Sequence, residues 1–144
     1  MFSPSTFIPH TSADRRAGAV GDIQVLNERG RIFEAVEVKH DMPITLDMIR
    51  EAYTKFKTQP VERYYLLTTS DKDQHMEVTD EIVKVRKEHG CQVIINGIEP
   101  TLKYYLRLLK NSDNFVSHYV ELVEKEPVLK FEHRQAWNEI VANK

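Results

Sequence analysis

Two β-prone runs joined by a short polar turn are the feature that most constrains the fold of this chain. The runs cover residues 21–26 and 31–40, and the turn Asn-Glu-Arg-Gly covers residues 27–30. Asparagine and glycine between two runs of β-branched residues are typical of a β-hairpin. The sequence therefore predicts an antiparallel pair of strands over residues 21–40.

Helical and β-prone segments alternate after this hairpin. The predicted elements are strands over 64–69 and 91–95 and helices over about 45–58, 77–89, 100–110, 113–126 and 129–142. The order β-β-α-β-α-β-α-α-α predicts an α/β fold, with a mixed central sheet that starts with the antiparallel hairpin and carries helices on both faces. Residues 1–20 lack periodicity and predict a loop or an extended arm. We expect residues 1–144 to form a single domain.

The composition is that of an ordinary globular protein. The 144 residues are 41% hydrophobic and 29% charged, with a net charge of −2. This charge gives no sign of the basic surface typical of nucleic-acid-binding proteins, although the acidic residues of a metal site would mask one. No apolar stretch approaches the length of about 18 residues that a membrane span requires. The single Cys91 excludes an internal disulfide, so we expect a cytoplasmic protein that does not associate with membranes.

Three charged side chains converge at one end of the predicted hairpin. Counting back from the turn places Asp22 opposite Ala35, so that Glu37 is its diagonal neighbour on the same face. Lys39 lies two residues further along that face. Two carboxylates suit a hard cation such as Mg²⁺, and an adjacent lysine can hold or activate a water molecule. Charges that alternate along a solvent-facing strand are the alternative explanation.

In these residues and in its topology, the chain resembles the PD-(D/E)xK nuclease superfamily, and most of all the type II restriction endonucleases. The resemblance is carried by Asp22 on one strand, by Glu37-Val38-Lys39 on the next, and by the helix and the strand over 64–69 that follow. Members of this superfamily usually have an earlier helix with a further acidic residue. Residues 1–20 lack such a helix, so we expect the chain to be the C-terminal fragment of a longer protein; loss of the helix is the alternative.

The resemblance implies a Mg²⁺-dependent endonuclease that hydrolyses DNA phosphodiester bonds, with Mn²⁺ as a substitute metal. Asp22 and Glu37 would bind the metal together with the carbonyl oxygen of Val38. Lys39 would orient the attacking water or stabilise the charge that grows on the phosphate. The expected catalytic residues are therefore Asp22, Glu37 and Lys39.

Contacts with double-stranded DNA are expected from Arg15, Arg16 and His40. Arginine matches the geometry of phosphate, and His40 directly follows the motif. Solubility of a polar arm and exposure of a strand end are the alternatives for these residues. Lys55 and its basic neighbours on the next helix are interpreted as a solvated face. A homodimer is expected by analogy with enzymes that cut palindromic sites symmetrically.

Two other kinds of function remain open at this point. A repair nuclease or a Holliday-junction resolvase of the same superfamily would use the same residues on a different substrate. A non-catalytic α/β module that binds DNA or a partner would carry the charges as a surface cluster. Metal-dependent cleavage of plasmid DNA separates the nucleases from the module.

Overall fold

The computed structural model describes residues 7–9, 19–70, 75–108, 113–125 and 130–142. Its strands are β1 (Phe7–Pro9), β2 (Ile23–Leu26), β3 (Ile32–Lys39), β4 (Arg63–Thr68) and β5 (Gln92–Gly97). Its helices are α1 (Leu46–Phe56), α2 (Met76–His89), α3 (Ile98–Leu108), α4 (Asp113–Lys125) and α5 (Phe131–Ala142). These elements follow the predicted order, with β1 as an addition.

The sheet has the order β1-β2-β3-β4-β5 and is mixed. Strands β2 and β3 pair antiparallel, whereas β3, β4 and β5 are parallel and are connected through α1 and α2. The predicted α/β fold with a mixed sheet and an antiparallel hairpin is therefore confirmed. Strand β1 pairs antiparallel with β2, inside the segment for which the sequence predicted a loop or extended arm.

The register of the hairpin differs by two residues from the predicted one. Gln24, rather than Asp22, lies opposite Ala35. The prediction was wrong because the loop after Leu26 is one residue longer than expected and because β3 carries one extra residue at a bulge beside it. The ladder of β2 and β3 ends with Ile23 opposite Val36, so Asp22 lies one residue before the paired strand.

The core lies between the sheet and the helices α1 and α2. Helix α1 begins after Thr45, whose hydroxyl accepts a hydrogen bond from the backbone N–H of Met48, and α2 ends at Gly90 in the left-handed region. The side chains at the centre of the core are Ala35, Ile49, Ala52, Phe56, Tyr64, Leu66, Val78, Val85 and Val93. Because residues two apart on a strand share a face, Glu37 lies on the same face as buried Ala35 and therefore faces the helices.

The chain divides into two compact units, Met1–Leu102 and Lys103–Lys144, where the sequence predicted a single domain. The predicted site residues that the structure describes, from Asp22 to His40, belong to the first unit. In the second unit, the rings of Tyr119 and Trp137 pack edge to face with their centroids 4.7 Å apart.

Within the described residues, no helix combines the length and the apolar character that crossing a membrane requires.

Candidate active site

Glu37 is a buried carboxylate near the carboxyl end of β3. Only 8% of the residue is exposed, and β3 is paired on both sides, with β2 and with β4. A buried charge is costly unless cations and hydrogen-bond donors surround it. The buried Glu37 carboxylate therefore needs compensating partners at this end of the sheet.

Two ammonium groups and a phenol contact the Glu37 carboxylate. The Nζ atom of Lys39 lies 2.5 Å from Oε1, and the Nζ atom of Lys55 on α1 lies 2.8 Å from Oε2. The Tyr64 hydroxyl lies 2.5 Å from the same Oε2. Burial raises the pKa of Glu37, but hydrogen bonds from these three residues outweigh burial and lower the pKa to about 2. Glu37 is thus ionised at neutral pH in spite of its burial.

Tyr64 contacts the Glu37 carboxylate from the buried core. Its side chain is fully buried, and its hydroxyl also lies 2.8 Å from the carbonyl oxygen of Val20. The single phenolic proton serves one of these two acceptors at a time. Burial raises the pKa of Tyr64, the Glu37 carboxylate raises it further, and Asp22 adds a smaller share. The phenol is therefore a neutral donor, and Asp22 is close enough to act on it.

The Asp22 side chain is hydrogen-bonded to the backbone of β3. Its Oδ2 atom accepts a hydrogen bond from the N–H of Val38 at 2.7 Å. Gly21 permits this approach, because a Cβ atom at residue 21 would lie 2.8 Å from the carbonyl oxygen of Val36. In a strand, the N–H and C=O of one residue point to the same side. The carbonyl of Val38 is therefore directed toward the Asp22 side of β3.

The donor atoms at this end of the sheet fit Mg²⁺ in number and in kind. Mg²⁺ takes one or two protein carboxylates and keeps several waters, and Asp22, Glu37 and the Val38 carbonyl are oxygen donors of that type. The described residues contain no group of three or more His, Cys, Asp or Glu that could hold a metal ion, so a cage made only of protein ligands is not found there. Both Glu37 oxygens contact protein donors. A metal ion that binds Glu37 would therefore compete with the two lysines for these oxygens.

The turn after β3 is held by two threonines at the end of β4. The N–H of Asp41 donates to Thr69 Oγ1 at 2.7 Å, and Thr68 Oγ1 donates to the carbonyl of Met42 at 2.6 Å. Asp41 has a φ of 51°, which is uncommon for a residue other than glycine. His40 is exposed, and its Nδ1 lies 3.3 Å from Thr69 Oγ1. These bonds present His40 to solvent at the strand end that carries Glu37.

The structure brings most of the predicted site residues together. Asp22, Glu37, Val38, Lys39 and His40 all lie where the start of β2 meets the end of β3. Arg15 and Arg16, the other predicted DNA contacts, lie outside the described residues.

Sequence reasoning missed two residues of the site, Lys55 and Tyr64. Lys55 was interpreted as part of a solvated face, and 39% of its side chain is indeed exposed, but its ammonium also contacts Glu37, which the sequence did not predict. One signal was available: Lys55 lies beside Phe56 and three residues after Ala52, both of which are buried on α1. Tyr64 was recognised only as a residue of a central strand.

Comparison of the chain with models of known protein families and with curated proteins finds no match. A family assignment for this chain therefore rests on the residues of the site and on their positions in the sheet.

Proposed function

We propose that this protein is a Mg²⁺-dependent endonuclease of the restriction type that hydrolyses phosphodiester bonds of double-stranded DNA. The observation that carries the proposal is the ionised, buried Glu37 carboxylate, with Lys39 in contact and Asp22 hydrogen-bonded to the Val38 N–H. These residues are also the ones in which the chain resembles the PD-(D/E)xK superfamily. The mixed sheet with its antiparallel hairpin supports the same reading.

Each residue of the site has a role in this reaction. Mg²⁺ would polarise the scissile phosphate and lower the pKa of a bound water. Asp22, Glu37 and the Val38 carbonyl would hold the metal, and Tyr64 would keep Glu37 Oε2 in place. Lys39, once released from Glu37 Oε1, would donate to the phosphate oxygen on which charge develops.

A non-catalytic α/β module that binds DNA or a partner is the second candidate. It is favoured by one observation, namely that both oxygens of Glu37 are already engaged by protein groups. Glu37 contacts two lysines, and Asp22 lies at the same end of the sheet, so the four charges balance. A metal cation would add positive charge to this balanced cluster, which supports a site that receives a DNA phosphate as the compensating anion.

Plasmid cleavage tests the proposal. With Mg²⁺ or Mn²⁺ we expect the wild-type chain to nick or linearise supercoiled DNA, and we expect Asp22→Asn and Lys39→Met each to lower the rate at least about 100-fold. Glu34→Gln is the matched control, because Glu34 lies on the same strand and pairs with Arg63 at 2.6 Å on the other face. This control should cleave at the wild-type rate. Cleavage that survives both site substitutions would contradict the assigned roles.

Metal binding tests the site even if recognition of DNA requires a further segment. Calorimetry with Mn²⁺ should then detect binding to the wild-type chain and its loss in Asp22→Asn. A chain that neither cleaves DNA nor binds Mn²⁺ is the non-catalytic module. A repair nuclease or a Holliday-junction resolvase would instead prefer a damaged duplex or a four-way junction to an intact plasmid.

A further inference from the structure

We propose that Lys55 is a second functional lysine of this site: it competes with the metal for Glu37 when DNA is absent, and it contacts a DNA phosphate when DNA is bound. The inference rests on the proposed function and deepens it, because it makes metal binding and DNA binding depend on each other. It concerns a residue on α1, outside the motif in which the chain resembles a nuclease family.

The position of Lys55 is fixed by the packing of α1. Ala52 and Phe56 on the same helix are buried in the core, so the last turn of α1 is held against the sheet. From there the Nζ atom of Lys55 reaches Glu37 Oε2 at 2.8 Å. The Lys55 side chain is 39% exposed, compared with 23% for that of Lys39. The ammonium can therefore swing from Glu37 toward solvent, or toward a bound phosphate, without any change in the fold.

The charges of the site explain why Lys55 and a metal compete. Asp22 and Glu37 together carry two negative charges, and the two lysines carry two positive charges, so the arrangement is neutral. A divalent cation makes it strongly positive, which is unfavourable at these short distances. A DNA phosphate restores part of the balance. Metal and DNA therefore assist each other's binding, and this coupling is reciprocal.

Tyr64 allows Lys55 to leave without loss of order at Glu37. The phenol contacts the same Oε2 atom from the buried side and stays neutral, since burial and the neighbouring carboxylate raise the pKa of Tyr64. The carboxylate thus keeps a neutral hydrogen-bond donor beside Oε2 when Lys55 moves to a phosphate. Lys55 supplies charge, whereas Tyr64 supplies orientation, and substitutions at the two residues should have different effects.

Calorimetric titration of the full chain with Mn²⁺, without DNA and at one fixed salt concentration, is the first test. We expect Lys55→Met to bind Mn²⁺ about five- to tenfold more tightly than the wild type, because a partly screened positive charge beside Glu37 is removed. Lys57→Met is the matched control, since it removes the same charge from an exposed residue at the end of α1 and should leave the affinity unchanged. Tyr64→Phe removes a neutral donor from the same oxygen and should not tighten binding.

Binding of a DNA duplex in the presence of Ca²⁺, followed by fluorescence anisotropy, is the second test. Lys55→Met should weaken duplex binding about tenfold and reduce the salt dependence by about one released counterion, and Lys55→Arg should restore both. Lys55→Gln serves as a second neutral variant, and circular dichroism shows which variants are folded.

A purely structural role for Lys55 would give weaker or unchanged Mn²⁺ binding in both neutral variants, and that result would overturn the inference. If the wild type binds Mn²⁺ and Asp22→Asn does not, the proposed function survives this failure. If Mn²⁺ does not bind to the wild type at all, the proposed function fails, and the inference fails with it.

Discussion

Strand β3 carries two carboxylates that meet their cations in different ways. Among the described residues, Glu34 forms an ion pair with Arg63, whose Nε lies 2.6 Å from Oε1 and whose guanidinium lies over the Phe33 ring at 5.0 Å. Glu37, three residues further and on the opposite face, contacts two lysines and a tyrosine. The first arrangement satisfies one charge with one charge. The second places two lysines beside one carboxylate, and Asp22 supplies the second negative charge at the same end of the sheet.

The two carboxylates also differ in where their partners come from. Arg63 is the register neighbour of Glu34 on β4, so this pair follows from strand pairing alone. The partners of Glu37 come from β3 itself, from β4 and from α1. Three elements must be in place before the Glu37 cluster exists, so its formation reports on the tertiary structure, whereas the Glu34 pair reports on one pair of strands.

The largest effect should come from removal of both cations at Glu37. The double variant Lys39→Met/Lys55→Met leaves a buried carboxylate without a cation, and we expect it to lose about 3–5 kcal/mol of the free energy of unfolding at pH 7. Urea denaturation measures this loss. The matched control is Lys84→Met/Lys125→Met, which removes two exposed lysines from ion pairs at 3.7 Å and 3.3 Å and should cost under about 1 kcal/mol. Equal losses in the two double variants would show that the lysines at Glu37 stabilise the fold no more than exposed lysines do.

An intermediate effect should come from acid. The pKa of Glu37 falls from an ordinary 4.5 to about 2 in the folded protein, so its charge stabilises the fold above pH 4.5, and this contribution disappears as the pH falls through that value toward 2. Glu37→Gln should therefore be less stable than the wild type at neutral pH, by up to about 3 kcal/mol. The difference should shrink between pH 5 and pH 2, as measured by denaturation at each pH. A difference that stays constant over this range would show that the charge of Glu37 does not stabilise the fold.

The smallest effect should come from the Glu34 pair. The Arg63 side chain is 39% exposed, so a double-mutant cycle of Glu34→Gln and Arg63→Gln should give a coupling energy of about 1 kcal/mol or less. The same cycle with Glu37→Gln and Lys55→Gln should give a larger value, because Glu37 is the more buried carboxylate. Reversal of this order would mean that burial does not distinguish the two sites.

Local sequence patterns predicted the elements well because local contacts form them. Thr45 caps α1 through the Met48 N–H, and Gly90 ends α2 with a φ of 89°, and both residue types are favoured at these positions. Each of these residues acts on backbone groups within a few positions of itself. The alternation of strands and helices then determined the mixed sheet.

The register and the full site could not be predicted in the same way. The bulge beside Leu26 lies at the start of β3, where too few residues precede it for the sequence to show a shift in the alternation. Lys55 and Tyr64 meet Glu37 across 18 and 27 residues of chain, which depends on how α1 is rotated over the sheet and on which strand lies beside β3. No periodicity in the sequence carries that information.

Substitution of Gly21 by a larger uncharged residue would disturb the charge cluster around Glu37. The atom that a single extra methyl group would meet there belongs to the main chain of β3, and main-chain atoms of a central strand cannot rotate aside as a side chain can. The first residues of β2 would have to swing outward and take the Asp22 carboxylate with them. Mutagenesis libraries at this end of the sheet should therefore keep residue 21 as glycine and vary exposed positions such as His40.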